Sequence, residues 1–227
     1  MRRTLAFARW MTQEFVGRRT TVELYDDLAR RGDYDLAIDF DERVRCFRRA
    51  LRHVSHEYHS ALDIASGTGA FVEALVSEST AGVTAIDISN RMLAVAARRF
   101  QSVANVKFRC ADFLAVEFPD SSFDLITLGY ASRFIPVGSE SLFADRVSRW
   151  LRSDGTLLVV TNEFVLQSLL AIPLTFVGLP RGSNYAMDLP FYIEKAIRPY
   201  LRLQRSLVIS NTAGLLRDIA LYFRKAN

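Results

Sequence analysis

Apolar residues in the first part of the chain recur at helical spacing, as in Val44, Phe47, Leu51 and Val54, so residues 1–59 read as helical. From Ala61 the period changes. A strand over residues 61–66 runs into Gly67-Thr68-Gly69, and a helix follows whose Phe71, Ala74 and Leu75 make an inner face. A second strand, 83–88, contains Asp87; Ser89 or Asn90 then caps a helix carrying Met92, Leu93 and Ala96. Residues 106–110 form a third strand. The turn Pro119-Asp120-Ser121-Ser122 precedes a fourth, 123–129. A helix through Phe143 and Val147 is expected to stop near Asp154-Gly155, with a fifth strand over 156–161.

Such alternation predicts a parallel sheet covered on both faces, with ligands at the carboxyl ends of its strands. Residues 164–188 have no clean period and carry Pro173, Pro180 and Gly182, whereas 189–200 reads as a helix. Residues 201–211 and 215–224 read as long strands around Ala213-Gly214, a hairpin. No repeat or low-complexity linker divides the chain. The expected organisation is an amino-terminal helical cap over 1–60 and an α/β core over 61–227, with 164–200 as an insertion.

Composition narrows the classes. Half of the 227 residues are apolar, enough for a sizeable core. Basic residues exceed acidic ones by 29 to 25, but the excess is spread along the chain. Nucleic-acid binding needs a clustered stripe, so it is not expected; contact with an acidic membrane surface is at most peripheral. The apolar stretch 164–180 is broken by Gln167, Pro173 and Gly178 and falls short of the ~20 residues of a spanning helix. Cys46 and Cys110 form no metal or redox spacing, and a cytoplasmic location is expected. His53, His56 and His59 drift around a helix rather than converging, so no metal is expected.

The glycine turn has three nucleotide readings. A P-loop needs Gly-Lys-Ser/Thr, but Ala70 and Phe71 follow Gly69. A dinucleotide fingerprint needs a small residue where Val72 stands. The remaining reading is S-adenosylmethionine, which needs close backbone approach and carboxylates for its ammonium and ribose hydroxyls. Asp63, Asp87 and Asp112 stand at three successive strand tips, and Phe113 offers an aromatic wall beside the last. Each acid alone could merely end a strand or cap a helix; the three together with the turn make the specific pattern.

The stretches LDIASGTGAF, VTAIDISNRMLAVAARR, ADFLAVEFPDSSFDLITLGYASRFI and RVSRWLRSDGTLLVVTNEF resemble class I S-adenosylmethionine-dependent methyltransferases. Within them the chain is most similar to the ubiquinone/menaquinone biosynthesis C-methyltransferase group, over roughly residues 61–164. The resemblance implies a Rossmann-like fold with a seven-stranded, mostly parallel sheet and an antiparallel C-terminal hairpin. It implies that Asp63, Ala65, Gly67, Gly69, Asp87, Ile88, Met92, Asp112, Phe113 and Gly129 bind the cofactor. Three positions depart from the pattern: Ala70 replaces an acid, Ser153-Asp154 replaces Lys-Pro, and Phe134 replaces an Asn.

The activity implied is methyl transfer to a hydrophobic small molecule, of quinol, phenol, polyketide or isoprenoid type, at carbon or oxygen. Two alternatives stand beside it: a relative that catalyses a cyclisation or rearrangement with the sulfonium as a fixed charge, and a non-catalytic partner subunit. Arg133, in the family's arginine position, could stabilise a phenolate or be simply ion-paired. Tyr130 could bond the substrate or be a pocket wall. Tyr25 resembles a residue that folds over the cofactor. Phe164 and Phe176 belong to a segment read as a lid for a lipophilic acceptor, or else as a homodimer face or a core helix. On the lid reading Tyr25, Phe164 and Phe176 would bind the substrate.

Overall fold

A computed structural model describes residues 2–16, 20–164, 185–188, 190–212 and 216–226. Among them the chain runs α1 (Arg2–Val16), α2 (Thr21–Arg31), α3 (Asp33–Ile38), α4 (Phe40–Leu51), β1 (Ser60–Ile64), α5 (Ala70–Glu78), β2 (Gly82–Asp87), α6 (Asn90–Arg99) and β3 (Val106–Cys110). It continues through β4 (Phe123–Gly129), a 3₁₀ turn at Ser132–Phe134, α7 (Glu140–Trp150), β5 (Leu151–Phe164) and a second 3₁₀ turn at Tyr185–Asp188. After these come α8 (Pro190–Ile197), β6 (Leu201–Thr212) and β7 (Leu216–Lys225).

The seven strands form one sheet in the order β3-β2-β1-β4-β5-β7-β6. The first five are parallel; β7 runs antiparallel to both β5 and β6. This is the fold expected from the sequence, hairpin included. The strand order reverses at β1, between β2 and β4, so the carboxyl ends of these strands open a crevice there.

Side chains of period two build a core on each face of the sheet. Leu62, Ile64, Ile126, Leu128, Leu157 and Val159 point to one face, where Phe143 and Val147 of α7 and Ile193 of α8 meet them. Ala61, Leu125, Leu158 and Val160 point to the other, against Phe47 and Ala50 of α4 and Phe71 and Leu75 of α5. Asp63 and Thr127 share the second face, side by side in register. A buried carboxylate in an otherwise apolar row is the first sign of a site.

Two boundaries differ from the sequence reading. Residues 1–59 do not form one run: Gly32 (φ 67°) and Asp39 (φ 55°) break it, and the last helix ends at Leu51. Short helices at angles to one another can wrap an edge that a rod would overshoot. The fifth strand starts at Leu151, so Gly155 lies within the strand. A Cβ there would come 3.1 Å from the Phe123 and Asp124 carbonyl oxygens. Close backbone approach, and not chain termination, explains that glycine.

Candidate functional site

The strand-to-helix turn after β1 holds three left-handed residues, Ala65 (φ 55°), Gly67 (φ 54°) and Gly69 (φ 92°). Local amides close it: Gly69 N–H donates to the Ser66 carbonyl at 2.9 Å and Ser66 N–H to the Ile86 carbonyl at 3.0 Å. Gly69 also has steric reasons, since a Cβ there would lie 2.6 Å from the Phe100 ring. Tyr130, at the tip of neighbouring β4, is left-handed too (φ 55°).

These tips line a cavity of about 330 Å³, within the ~300–1,000 Å³ usual for small-molecule sites. All ten residues expected to bind the cofactor line it, apart from Gly69 in the turn beneath. Asp87 receives the Gly67 N–H on Oδ2 and the Ser89 N–H on Oδ1, both at 2.8 Å. Burial pushes its carboxyl up, against the opposing pull of those amides. Ile88 is exposed at 46 % while Met92 is buried, and the two give the cavity an apolar corner beside Asp87. Asp112 accepts from Leu114 N–H on Oδ1 at 2.8 Å. Phe113 stands edge-on to Phe143, with ring centroids 5.7 Å apart.

Asp63 is the least ordinary group. It is 1 % exposed, accepts from the Thr127 hydroxyl on Oδ1 at 2.7 Å, and has no hydrogen-bond partner on Oδ2. Burial raises its pKa to about 8. A carboxyl half satisfied at the floor of a cavity is a receptor for a donor or a cation.

The catalytic candidates take up defined places. Arg133 lines the cavity with its Nε 3.1 Å from Oδ2 of buried Asp188, which also accepts from the Ser132 hydroxyl. The ion-paired reading of Arg133 is therefore seen, at a pocket wall. Tyr130 lines the cavity as well, but its hydroxyl lies 3.2 Å from Cys46 Sγ. Burial pushes that phenol well above its ordinary value, so it stays protonated at neutral pH. Tyr25 packs edge-on against Tyr34 and Phe134, at 5.7 and 5.5 Å between centroids, over the cavity. Phe164 ends β5, opposite Leu216; Phe176 lies outside the described residues, as does most of the expected lid. The part of 164–200 that is described does not hang free: Met187, Ile193 and Ile197 belong to the core.

The amino-terminal helices close over the strand tips and supply residues that the sequence alone did not single out. Trp10, Tyr34, Ile38, Arg43 and Phe47 line the cavity, joined from the core side by Asn162. Asp35 of α3 accepts from the Thr68 hydroxyl and from Arg99 Nη2 (2.7 Å), and Ser89 donates to Asp26 of α2. The cap is thus fastened to the glycine turn and to the start of α6. The only signal for these residues was the amphipathic period of the helices, which shows a buried face but not what it covers. The histidines lie elsewhere: His56 bonds Thr156 at 2.9 Å, and the His59 amide donates to Asp124 at 2.9 Å, at the amino ends of the strands.

Residues 61–155 match a family model described as a methyltransferase domain. Over 102 residues the chain is 41 % identical to demethylmenaquinone methyltransferase of Staphylococcus aureus (strain MRSA252), a match covering 44 % of this chain and 42 % of that protein. The chain thus aligns with about two fifths of the length of the curated relatives it matches. Among solved structures, N-methyltransferase NodS from Bradyrhizobium japonicum WM9, in complex with S-adenosyl-L-homocysteine, superposes with a TM-score of 0.62 at 17 % identity, over 82 % of this chain and 87 % of that one. The [4+2]-cyclase SpnF superposes with a TM-score of 0.62 at 17 % identity, over 80 % and 81 %. At such identities the likeness is one of fold, and the fold houses more than one chemistry.

Proposed function

We propose that the chain is a class I S-adenosylmethionine-dependent methyltransferase that transfers a methyl group to a hydrophobic small molecule, a reading supported by the methyltransferase-domain match over residues 61–155. The observation that carries the cofactor half is Asp63, a buried carboxylate with one oxygen unpartnered in the cavity wall. A ligand that brings an ammonium group fits that requirement. Asp87 keeps one further lone-pair site on each oxygen after its two amide bonds, enough to accept from a pair of ribose hydroxyls. Ile88 and Met92 give an adenine ring its apolar contacts, with Phe113 as a wall and Asp112 Oδ2 beside it. The bare turn at Ala65 and Gly67 lets main chain approach. Gly129 lines the cavity and lets the Phe47 and Phe71 rings pack close against the tip of β4. The residues present fit the group.

When bound, S-adenosylmethionine supplies an electrophilic methyl on a sulfonium. The chain's own work is then to bind, orient and exclude water. Trp10, Tyr25, Tyr34 and Phe134 roof the cavity with aromatic surface, which suits an apolar acceptor. Arg133, fixed by Asp188, offers a positive charge where an acceptor oxygen gains negative charge. Tyr130 stays a neutral wall. Among the described residues no helix is long and apolar enough to cross a membrane.

Two measurements test this reading. Calorimetry with S-adenosylhomocysteine reports binding, and absence of heat together with an unshifted melting temperature would remove it. Incubation with methyl-labelled cofactor and a panel of quinols, phenols and polyketides reports transfer. Acceptor consumed without label in the product would favour the cyclase-type chemistry instead.

A further inference from the structure

The cavity is divided by charge. Toward β1, β2 and β3 its wall carries Asp63, Asp87 and Asp112; toward β4 and β5 it carries Arg43 and Arg133. The acidic half matches the cationic cofactor of the reading above. The basic half is left for the acceptor, and its two arginines are not equivalent. Arg133 is held by buried Asp188. Arg43 lies with its guanidinium carbon 3.5 Å from the centroid of the Tyr130 ring, and among the described residues no carboxylate stands within ion-pair distance of it. Asp218 acts on the neighbouring Cys46 and Tyr130 but makes no ion pair with Arg43.

Stacking uses the face of the guanidinium and leaves its in-plane N–H groups to point along the ring edge. Those donors match a planar or paired oxyanion. Around them lie Phe47, whose ring centroid is 5.5 Å from that of Tyr130, and Phe71, stacked on Phe47 at 4.0 Å. A partly buried cation in an aromatic wall without an ion-pair partner asks for an anion from outside.

We propose that Arg43 is the anion-recognising residue of the acceptor site, and that the acceptor is an apolar ring or chain compound bearing a carboxylate or ionised hydroxyl. This rests on the methyl-transfer reading for the division of the cavity, but not on transfer itself. The acceptor seats its oxyanion on the edge of the Arg43 guanidinium and its apolar body against Phe47, Tyr25 and Phe134. The anion then lies opposite the three carboxylates, and the site selects an acceptor whose charge complements that of the cofactor. A neutral acceptor of the same shape leaves Arg43 desolvated and unpaired and binds more weakly.

The test uses 2-naphthoate and its neutral isostere 2-naphthamide as probes, titrated calorimetrically into the full chain saturated with S-adenosylhomocysteine. The wild type should prefer the anion by about tenfold or more. Arg43→Gln should erase the preference, Arg43→Lys should keep part of it, and all three proteins should bind S-adenosylhomocysteine alike. No preference in the wild type, no binding of 2-naphthoate, or a preference surviving in Arg43→Gln would each overturn the proposal. The wild-type comparison stands even if Arg43→Gln does not fold. Loss of S-adenosylhomocysteine binding by the wild type is a different failure: it removes the methyl-transfer reading, and the naphthoate preference is then read without it.

Discussion

The Asp87 carboxylate clasps the glycine turn, because Gly67 N–H donates to its Oδ2 at 2.8 Å while Ser89 N–H takes Oδ1. One side chain thereby ties the end of β2 to the turn after β1 and to the cap of α6. Asp87→Ala should weaken S-adenosylhomocysteine binding by about 1–3 kcal/mol and also lower the melting temperature, since two amides lose an acceptor. Calorimetry and thermal unfolding separate the two effects. An unchanged affinity with a lower melting temperature would leave Asp87 a purely structural role.

Asp63 makes binding proton-linked. With its pKa near 8 in the folded protein against an ordinary 3.8, it holds a proton at pH 7. A ligand ammonium beside Oδ2 favours the carboxylate and expels that proton. Calorimetry at pH 7 in buffers of different ionisation enthalpy should show release approaching one proton per ligand, lost in Asp63→Asn.

The same shift sets a sign for stability. Between pH 4 and 8 the folded state keeps a proton that the unfolded state releases, so stability falls as pH rises through this window. Asp63→Asn removes the titration and keeps an acceptor for Thr127. Its melting temperature relative to wild type should improve steadily from pH 4 to pH 8.5; a constant difference would refute the linkage.

Arg133 and Asp188 should be tested as a pair. Arg133→Met leaves a carboxylate that is 1 % exposed without its cation and should cost about 3–5 kcal/mol in denaturant unfolding. Adding Asp188→Asn should recover much of that loss. Methyl transfer, measured in the stabilised double variant, should stay low if Arg133 serves the acceptor and should return if it serves only the fold.

Gly129 is bare for packing reasons. A Cβ would come 2.6 Å from Phe47 and 2.9 Å from Phe71, the two stacked rings under the acceptor half. Gly129→Ala should destabilise by about 1–3 kcal/mol, and Phe47→Leu in the same chain should relieve part of it. Denaturant titration reads both.

Much of the sheet was legible because its strands carry short apolar runs with turn signals between them, and because Gly67, Gly69 and the three acids sit at strand ends that topology brings together. The hairpin was legible for the same reason. The cap was not. A helical period gives a buried face, but the left-handed Asp39 that redirects the chain into α4 carries no such period. Hence Tyr34, Arg43 and Phe47 could not be assigned to the cavity they line. Arg133 shows a further boundary: its partner Asp188 lies 55 positions later, and nothing in the local pattern of either residue announces the other.

Ala65 and Tyr130 hold left-handed backbone at the tips of two adjacent strands, in residues whose side chains disfavour it. Each stores a conformational debt of roughly 1 kcal/mol that glycine would cancel. Directed selection for heat tolerance alone should therefore drift toward glycine at Ala65 but keep Tyr130, whose ring packs on Phe47 and under Arg43. The resulting protein would be sturdier, at the risk of a slacker main chain where Ala65 lines the cavity.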